Sequence, residues 1–421
     1  MRPIRLPEPP SPKLGTPEIF EGGFSGVVRR AVVIGNGFPG SENQSIGLVR
    51  ALGLADKHVL YRVTRPKGGI NEWLHWLPVS VHKKLDCIMR KMFILLIYRG
   101  KRVGSLPTEN GGSLGLKCVL EADVQEIVTM ARRTYETDGP ILVVACGRDT
   151  ISVASSIRRL ASENVFVVQI LHPRLHLNRF DLVITPKHDY YPLTPEAQKQ
   201  VPQFLRRWIT PCEPPDRHVV LTIGALHQID ANSLRNAASQ WRDEFSALPK
   251  PLLVVNIGGP TSNCHYGVDL AKQLTTYLLS VLVSCGSIRI CFSSRTPEKV
   301  CSVITKELGG NPKVYIWNGE EPNPHMGHLA WADAFAVTAD SVSMISEVCS
   351  TGKPVYLMGS ECCKWKLCDF HKSLKERGMV RPFTGLENIS ESWSYPPLNE
   401  TAEAANQVHE ALAERGWRLR A

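Results

Sequence analysis

The segment Thr338-Ala-Asp340-Ser341-Val-Ser343-Met-Ile-Ser346-Glu347-Val-Cys-Ser350-Thr351-Gly352-Lys353-Pro354 combines the residue types that a phosphate and a ribose require. An apolar run ends at Thr338 and a short helix follows, with Asp340 and Ser341 suited to its start and Gly352 to its end. Ser341 and Ser343 can donate to a phosphate at that helix N-terminus, where unpaired N–H groups favour an anion. Glu347 lies one turn further, placed to accept from the two hydroxyls of a ribose; the competing reading leaves it solvated. Asn256-Ile257-Gly258-Gly259-Pro260-Thr261-Ser262 also follows an apolar run. Glycine permits close backbone approach, so Gly258 and Gly259 read equally as a diphosphate cradle and as a tight turn before the next helix.

A third loop, near the N-terminus, holds Asn36, Gly37, Gly40, Asn43 and Gln44. Its spacing is not the dinucleotide fingerprint, and the plain alternative is a β–α turn capped by Ser41. His188 and Asp189 are the candidates for a general base, because histidine is the usual base near neutral pH. The favoured reading of the pair is a turn without catalytic role. No metal is expected. The chain has 12 cysteines but no Cys-x-x-Cys; Cys362, Cys363 and Cys368 form the one local group. His172 and His176 are separated by a proline and an arginine, and His325 and His328 lie in a Pro/Gly-rich stretch that reads as a loop. The zinc-protease, phosphate-loop and serine-elbow motifs do not occur.

Short β-branched runs alternate with helical stretches along most of the chain. Runs at 31–34, 59–63, 141–145, 165–171 and 182–185 predict a parallel sheet covered by helices on both faces. Six prolines between 192 and 215 interrupt the pattern. It resumes with strands at 219–223, 252–257, 288–292, 313–317, 334–337 and 355–358, and a helix near 401–415 closes the chain. The expected fold is α/β, with two doubly wound Rossmann-like domains facing a cleft and a C-terminal helix. The predicted boundaries are a flexible lead over 1–28, a first domain over 29–191 with a Gly-rich loop at 100–118, and a linker over 192–215. A second domain follows over 216–395 and the terminal helix over 396–421.

The composition, 43% hydrophobic and 21% charged, belongs to a globular chain and excludes a largely disordered one. The opening Met-Arg-Pro-Ile-Arg-Leu-Pro-Glu-Pro-Pro lacks the apolar core of a secretory signal, and its prolines prevent the basic helix of an import presequence. The longest apolar run is 92–98, far short of the ~20 residues that span a bilayer. Of the net charge of +9, residues 81–102 hold seven Lys or Arg against one Asp. Apolar residues recur there at helical spacing, so Lys84, Met92, Phe93, Arg99, Lys101 and Arg102 are candidate contacts to a membrane surface; a core helix with charged ends is the alternative. The basicity lacks the interleaved aromatics and the motifs of a nucleic-acid binder, and no nucleic-acid partner is expected.

The pair of glycine-rich and Ser/Glu motifs, about 90 residues apart, resembles the nucleotide-binding half of GT-B glycosyltransferases. In that setting Arg295, just past the run ending at Ser294, faces the same mouth and meets a phosphate. Taken together, Gly37-x-x-Gly-Ser-Glu-Asn-Gln-Ser-x-Gly-Leu48, Asn256-Ile-Gly-Gly-Pro260 and Ser341-Val-Ser-Met-Ile-Ser-Glu-Val-Cys-Ser-Thr-Gly-Lys-Pro354 resemble the plant mitochondrial-fission family named for elongated mitochondria, which has uncharacterised bacterial relatives. The resemblance covers about residues 30–390. It implies a peripheral adaptor on the cytosolic face of the mitochondrial outer membrane, with a dynamin-related GTPase as partner and no required cofactor. The alternative it leaves open is a working glycosyltransferase that takes a nucleotide sugar and a membrane-associated acceptor.

Overall fold

The six residues of Ile141–Cys146, and those of Val165–Ile170 with Gln169 the one polar side chain among them, are buried at every position. Strands of that kind have helices on both faces, and the computed structural model, which describes residues 26–63, 88, 123–174, 176–200, 211 and 213–420, arranges them so. The N-terminal sheet has six parallel strands in the order His58–Arg62, Arg30–Gly35, Ile141–Cys146, Val165–Ile170, Leu182–Pro186, Val219–Thr222. The C-terminal sheet has the order Val314–Ile316, Ser287–Phe292, Leu252–Ile257, Ala334–Thr338, Val355–Met358, Val380–Pro382, again all parallel. Numbered along the chain, the second order is 3-2-1-4-5-6, the doubly wound order of dinucleotide-binding sheets. The α/β architecture of two doubly wound parallel sheets is as the sequence led us to expect.

The boundaries differ from expectation in three places. Val219–Thr222 pairs with Leu182–Pro186 and completes the first sheet, so the chain leaves the N-terminal domain after 222, not before 216. The stretch 192–215 contains structure of its own, the end of a 3-10 turn at Lys187–Leu193 and the helix Pro195–Gln200; residues 201–210 and 212 lie outside the described residues. Residues 27–28, assigned by the sequence to the lead, form a strand, and Val27–Val28 pairs in parallel with Arg418–Leu419; residues 1–25 lie outside the described residues.

That last pairing reflects a larger displacement. The closing helix Glu400–Glu414 packs on the N-terminal domain, although the second domain precedes it in sequence. Ala404, Ala405, Val408 and Leu412 enter one buried cluster with Val33, Leu48, Val144, Val168 and Ile184. The spacing 401, 404, 405, 408, 412 is one helical face, and that face needs an apolar partner. At the start of the helix the Ile223 N–H donates to Glu400 Oε2 at 2.7 Å. Thr401 Oγ1 donates to the His227 carbonyl and accepts from the His227 N–H, both at 2.9 Å. The crossing segment after 222 is thus fastened to the helix that crosses back.

Two predictions follow from this crossing. Leu412→Ala empties a fully buried site and is expected to cost about 2–5 kcal/mol. Amide exchange should then quicken first in strands Arg30–Gly35 and Ile141–Cys146; acceleration confined to the C-terminal sheet would contradict the packing. Burial pushes the Glu400 carboxyl up to about 7 from an ordinary 4.5. A carboxyl raised in the fold contributes stability that is full below its ordinary pKa and is lost as pH rises through the folded value. Urea unfolding should therefore show stability falling between about pH 4.5 and 7 from this group, and Glu400→Gln should remove that slope; an identical slope in the variant would contradict it.

Candidate functional site

In doubly wound sheets ligands bind outside the carboxyl ends of the strands where strand order reverses. In the C-terminal sheet that point lies between Leu252–Ile257 and Ala334–Thr338, and both singled-out motifs start there. The Gly258 N–H donates to Thr338 Oγ1 at 2.7 Å, and the Gly259 N–H donates to Asp340 Oδ2 at 3.1 Å. Arg295 donates from Nη2 to the same Asp340 oxygen at 3.0 Å and from Nη1 to the Gly259 carbonyl at 3.1 Å. Tyr266 donates its hydroxyl to Asp340 Oδ1 at 3.2 Å. Burial and the Asp340 charge push the Tyr266 phenol up, so it stays a donor. The glycine at 258 is required by close approach, since any Cβ there would collide with the Asp340 carboxylate.

The cradle is therefore closed by an anion of the protein's own. Donors that a diphosphate would need, the Gly259 N–H and the Arg295 guanidinium, already surround a carboxylate whose side chain is fully buried. Arg295 does not project into the mouth as a free phosphate ligand. Ser341 caps the helix Val342–Cys349, its Oγ accepting from the Met344 N–H at 3.4 Å. Ser343 stands opposite Gly40 of the other domain, close enough that a Cβ at Gly40 would touch its hydroxyl. Glu347 is not merely solvated: its Oε2 lies 3.1 Å from His325 Nε2. Burial would lower His325, and the bond and charge of Glu347 outweigh it and raise it.

The N-terminal loop is likewise internally bonded. The helix Pro39–Ala51 starts after Phe38, with proline in its first turn and not with Ser41 as cap. Glu42 Oε1 accepts from the Gly37 N–H at 2.9 Å, and Arg62 holds both Glu42 oxygens at 2.9 Å. That guanidinium bond, acting against burial, keeps the Glu42 carboxyl below its usual range. Asn36 Oδ1 accepts from the Phe38 N–H at 3.2 Å, and Gln44 Nε2 donates to the Gly40 carbonyl at 3.1 Å. Asn43 Oδ1 accepts from Gln228 Nε2 at 3.1 Å, tying this helix to the crossing segment.

His188 and Asp189 part company. His188 is buried, its ring 5.2 Å from that of Phe370, and burial pushes it down to about 4, far from a base poised near neutral pH. Asp189 faces the cleft, accepting from Thr185 Oγ1 at 2.9 Å and from Lys366 Nζ of the second domain at 2.7 Å. Burial works to raise this carboxyl, and Lys366, His188 and Thr185 together hold it lower. It borders an interdomain cavity of about 450 Å³ that Arg148, Arg174, Trp365 and Lys366 also line. Sequence reading passed over these four. The available signal was position: Arg148 and Arg174 follow the carboxyl ends of two adjacent strands.

The histidines do not converge. His325 and His328 lie on a short helix, His325–Trp331, and His328 Nδ1 lies 3.3 Å from Cys291 Sγ, away from Glu347. Cys363 meets Cys264 across strand-like backbone, Sγ to Sγ 2.7 Å, while Cys368 donates to the Cys363 carbonyl. Among the described residues no group of His, Cys, Asp and Glu suits a metal ion. Lys84, Met92, Phe93, Arg99, Lys101 and Arg102 lie outside the described residues, as does the loop 100–118.

The family described as Mitochondrial fission ELM1 matches residues 39–412. The chain is 71% identical over 426 residues to Mitochondrial fission protein ELM1 of Arabidopsis thaliana, covering 100% of both. It is 31% identical over 289 residues to an uncharacterized protein of Rickettsia prowazekii (strain Madrid E), covering 65% of this chain and 80% of that one. Among solved structures, UDP-GlcNAc 2-epimerase from Methanocaldococcus jannaschii is 12% identical, over 91% of this chain and 99% of that one, with a TM-score of 0.48. MurG from Acinetobacter baumannii is 12% identical, over 91% and 99%, with a TM-score of 0.41.

Asp340→Ala leaves the buried Gly259 N–H and the Tyr266 hydroxyl without acceptors, and is expected to cost about 1–3 kcal/mol in urea unfolding. Asp340→Asn, which keeps an acceptor oxygen, should cost less than the alanine variant. Equal stability of all three proteins would show that the carboxylate does not hold the loop.

Proposed function

The chain belongs to the family described as Mitochondrial fission ELM1, and we propose that it serves mitochondrial fission as a peripheral adaptor on the cytosolic face of the outer membrane, bringing a dynamin-related GTPase to division sites. Full-length identity of 71% to a mitochondrial fission protein carries the fission role. The adaptor reading rests on the state of the cleft. A nucleotide-sugar transferase needs open donors for a diphosphate, and here the Gly258–Gly259 loop and Arg295 enclose Asp340. Glu347, the ribose candidate, is engaged by His325. With that cradle filled from within, the donors a nucleotide diphosphate would need are already engaged.

Attachment falls to the basic, apolar stretch 81–102 in this reading, because no described helix is long and apolar enough to cross a membrane. Its seven cations against one acid suit an anionic lipid surface.

Cells lacking the protein should have elongated mitochondria and fewer GTPase foci upon them. Reintroduced wild-type chain and Glu347→Ala should both restore foci. Charge reversal at Lys84, Arg99, Lys101 and Arg102 should not, and should move the chain out of the mitochondrial membrane fraction. GTPase foci that persist unchanged without the protein would contradict the adaptor role, and loss of function in Glu347→Ala at normal expression would favour a ligand-dependent cleft.

A further inference from the structure

The interdomain cavity is a different site from the closed cradle. It opens at the carboxyl ends of Ile141–Cys146, Val165–Ile170 and Leu182–Pro186, and the second domain roofs it with Trp365 and Lys366. Among the described residues, Arg148, Arg174 and Lys366 line it against one carboxylate, Asp189, an excess of two positive charges. Lys366 is paired with Asp189 at 2.7 Å. The guanidinium groups of Arg148 and Arg174 have no acidic hydrogen-bond partner among the described residues. We propose that this cavity binds a phosphomonoester of a small polyhydroxylated molecule, with Arg148 and Arg174 as the phosphate ligands.

The charge matches: a phosphomonoester carries about −1.5 to −2 near neutral pH, against the two guanidinium forks of Arg148 and Arg174, whose geometry suits phosphate oxygens. Desolvation and then the neighbouring Arg148 lower the Arg174 guanidinium, a repulsion that an anion between them relieves. The size matches as well, since about 450 Å³ lies in the range of small-molecule pockets and exceeds what a bare phosphate fills. Aromatic surface is present for the carbon skeleton: Trp365 and Tyr191, whose rings meet edge-on at 5.9 Å, both line the cavity. Asp189 can accept from a ligand hydroxyl, because each oxygen has a lone pair beyond those that Thr185 and Lys366 use.

The backbone supplies a separate observation. Among the described residues, the non-glycine positions with positive φ are Leu171 at 69°, Arg174 at 55° and Trp365 at 56°. All three line this cavity. A left-handed conformation is unfavourable for such side chains, and it persists where surrounding structure enforces it, typically at ligand sites. Two of the three are in the first domain and one in the second, so both sides of the cleft are shaped toward one volume.

The site is independent of the fission role, and its test does not depend on that reading. Calorimetric titration of the purified full-length chain would use four probes: glucose 6-phosphate, glucose, inorganic phosphate, and phosphatidylcholine vesicles with or without phosphatidic acid, whose headgroup is a phosphomonoester. Saturable binding of glucose 6-phosphate without binding of glucose is expected, weakened fivefold or more by Arg148→Gln and by Arg174→Gln. Both arginines are exposed, so the variants should melt like wild type, and a melt for each confirms that the fold is intact. Binding of the phosphatidic acid vesicles alone, with the same dependence on both arginines, would overturn the polyhydroxylated ligand and assign the phosphate site to a lipid headgroup. Absence of binding by either ester, binding of inorganic phosphate alone, or a loss of less than fivefold in the arginine variants would overturn the proposal.

Discussion

One buried carboxylate organises the mouth of the C-terminal domain. Asp340 follows the central strand Ala334–Thr338 by two residues and binds three donors from three other parts of the chain. A buried charge is stable only when paired and hydrogen-bonded, so the Gly259 N–H, Tyr266 hydroxyl and Arg295 guanidinium must stay where they are. Their fixation sets the path of the loop after Leu252–Ile257, the exit of Ser287–Phe292 toward Arg295 and the start of the helix Val342–Cys349. It also fills the location where a doubly wound sheet ordinarily receives a phosphate. The same interaction thus accounts for the glycine-rich loop at this position and for its chemical closure.

The relation between the domains follows from a second constraint, the route of the chain. It crosses once after Val219–Thr222 and returns in Glu400–Glu414, whose apolar face completes the first domain's core. Between these crossings, residues 223–228 are bonded on both sides: Ala225 N–H to Ser346 Oγ at 2.9 Å, Gln228 to Asn43 and His227 to Thr401. A Cβ at Gly224 would collide with Ser346, and one at Gly47 with the His227 carbonyl, so both helices approach this segment closely. Lys366 and Asp189 add an ion pair across the cleft. Side-chain and backbone bonds thus tie the two domains on both sides of the cleft.

Much of this was legible in the sequence, and the exceptions have physical causes. Buried parallel strands are continuous apolar runs, so Ile141–Cys146, Leu252–Ile257 and Ala334–Thr338 declared themselves. Sheet membership is not local: nothing in 219–222 says whether the strand pairs backward or forward, and prolines before it suggested a boundary that the hydrogen bonds displace. Asp340 read as a helix-capping residue, because its partners at 259, 266 and 295 are 45 to 81 positions away. The capping falls to Ser341 instead. The pairing of Glu347 with His325, 22 positions apart, was hidden for the same reason, and a Pro/Gly-rich stretch that suggested a loop supports a short helix. The cavity residues Arg148 and Arg174 were visible as types and invisible as a group until the strands that carry them lay side by side.

Asp340 closes the nucleotide cradle from within. The most direct test is equilibrium binding of UDP, GDP, CMP and their sugars to the purified chain, with Glu347→Ala in parallel. No saturable binding is expected up to millimolar ligand. Micromolar binding of any nucleotide sugar that Glu347→Ala abolishes would contradict it, and would mean that the carboxylate moves aside for a ligand.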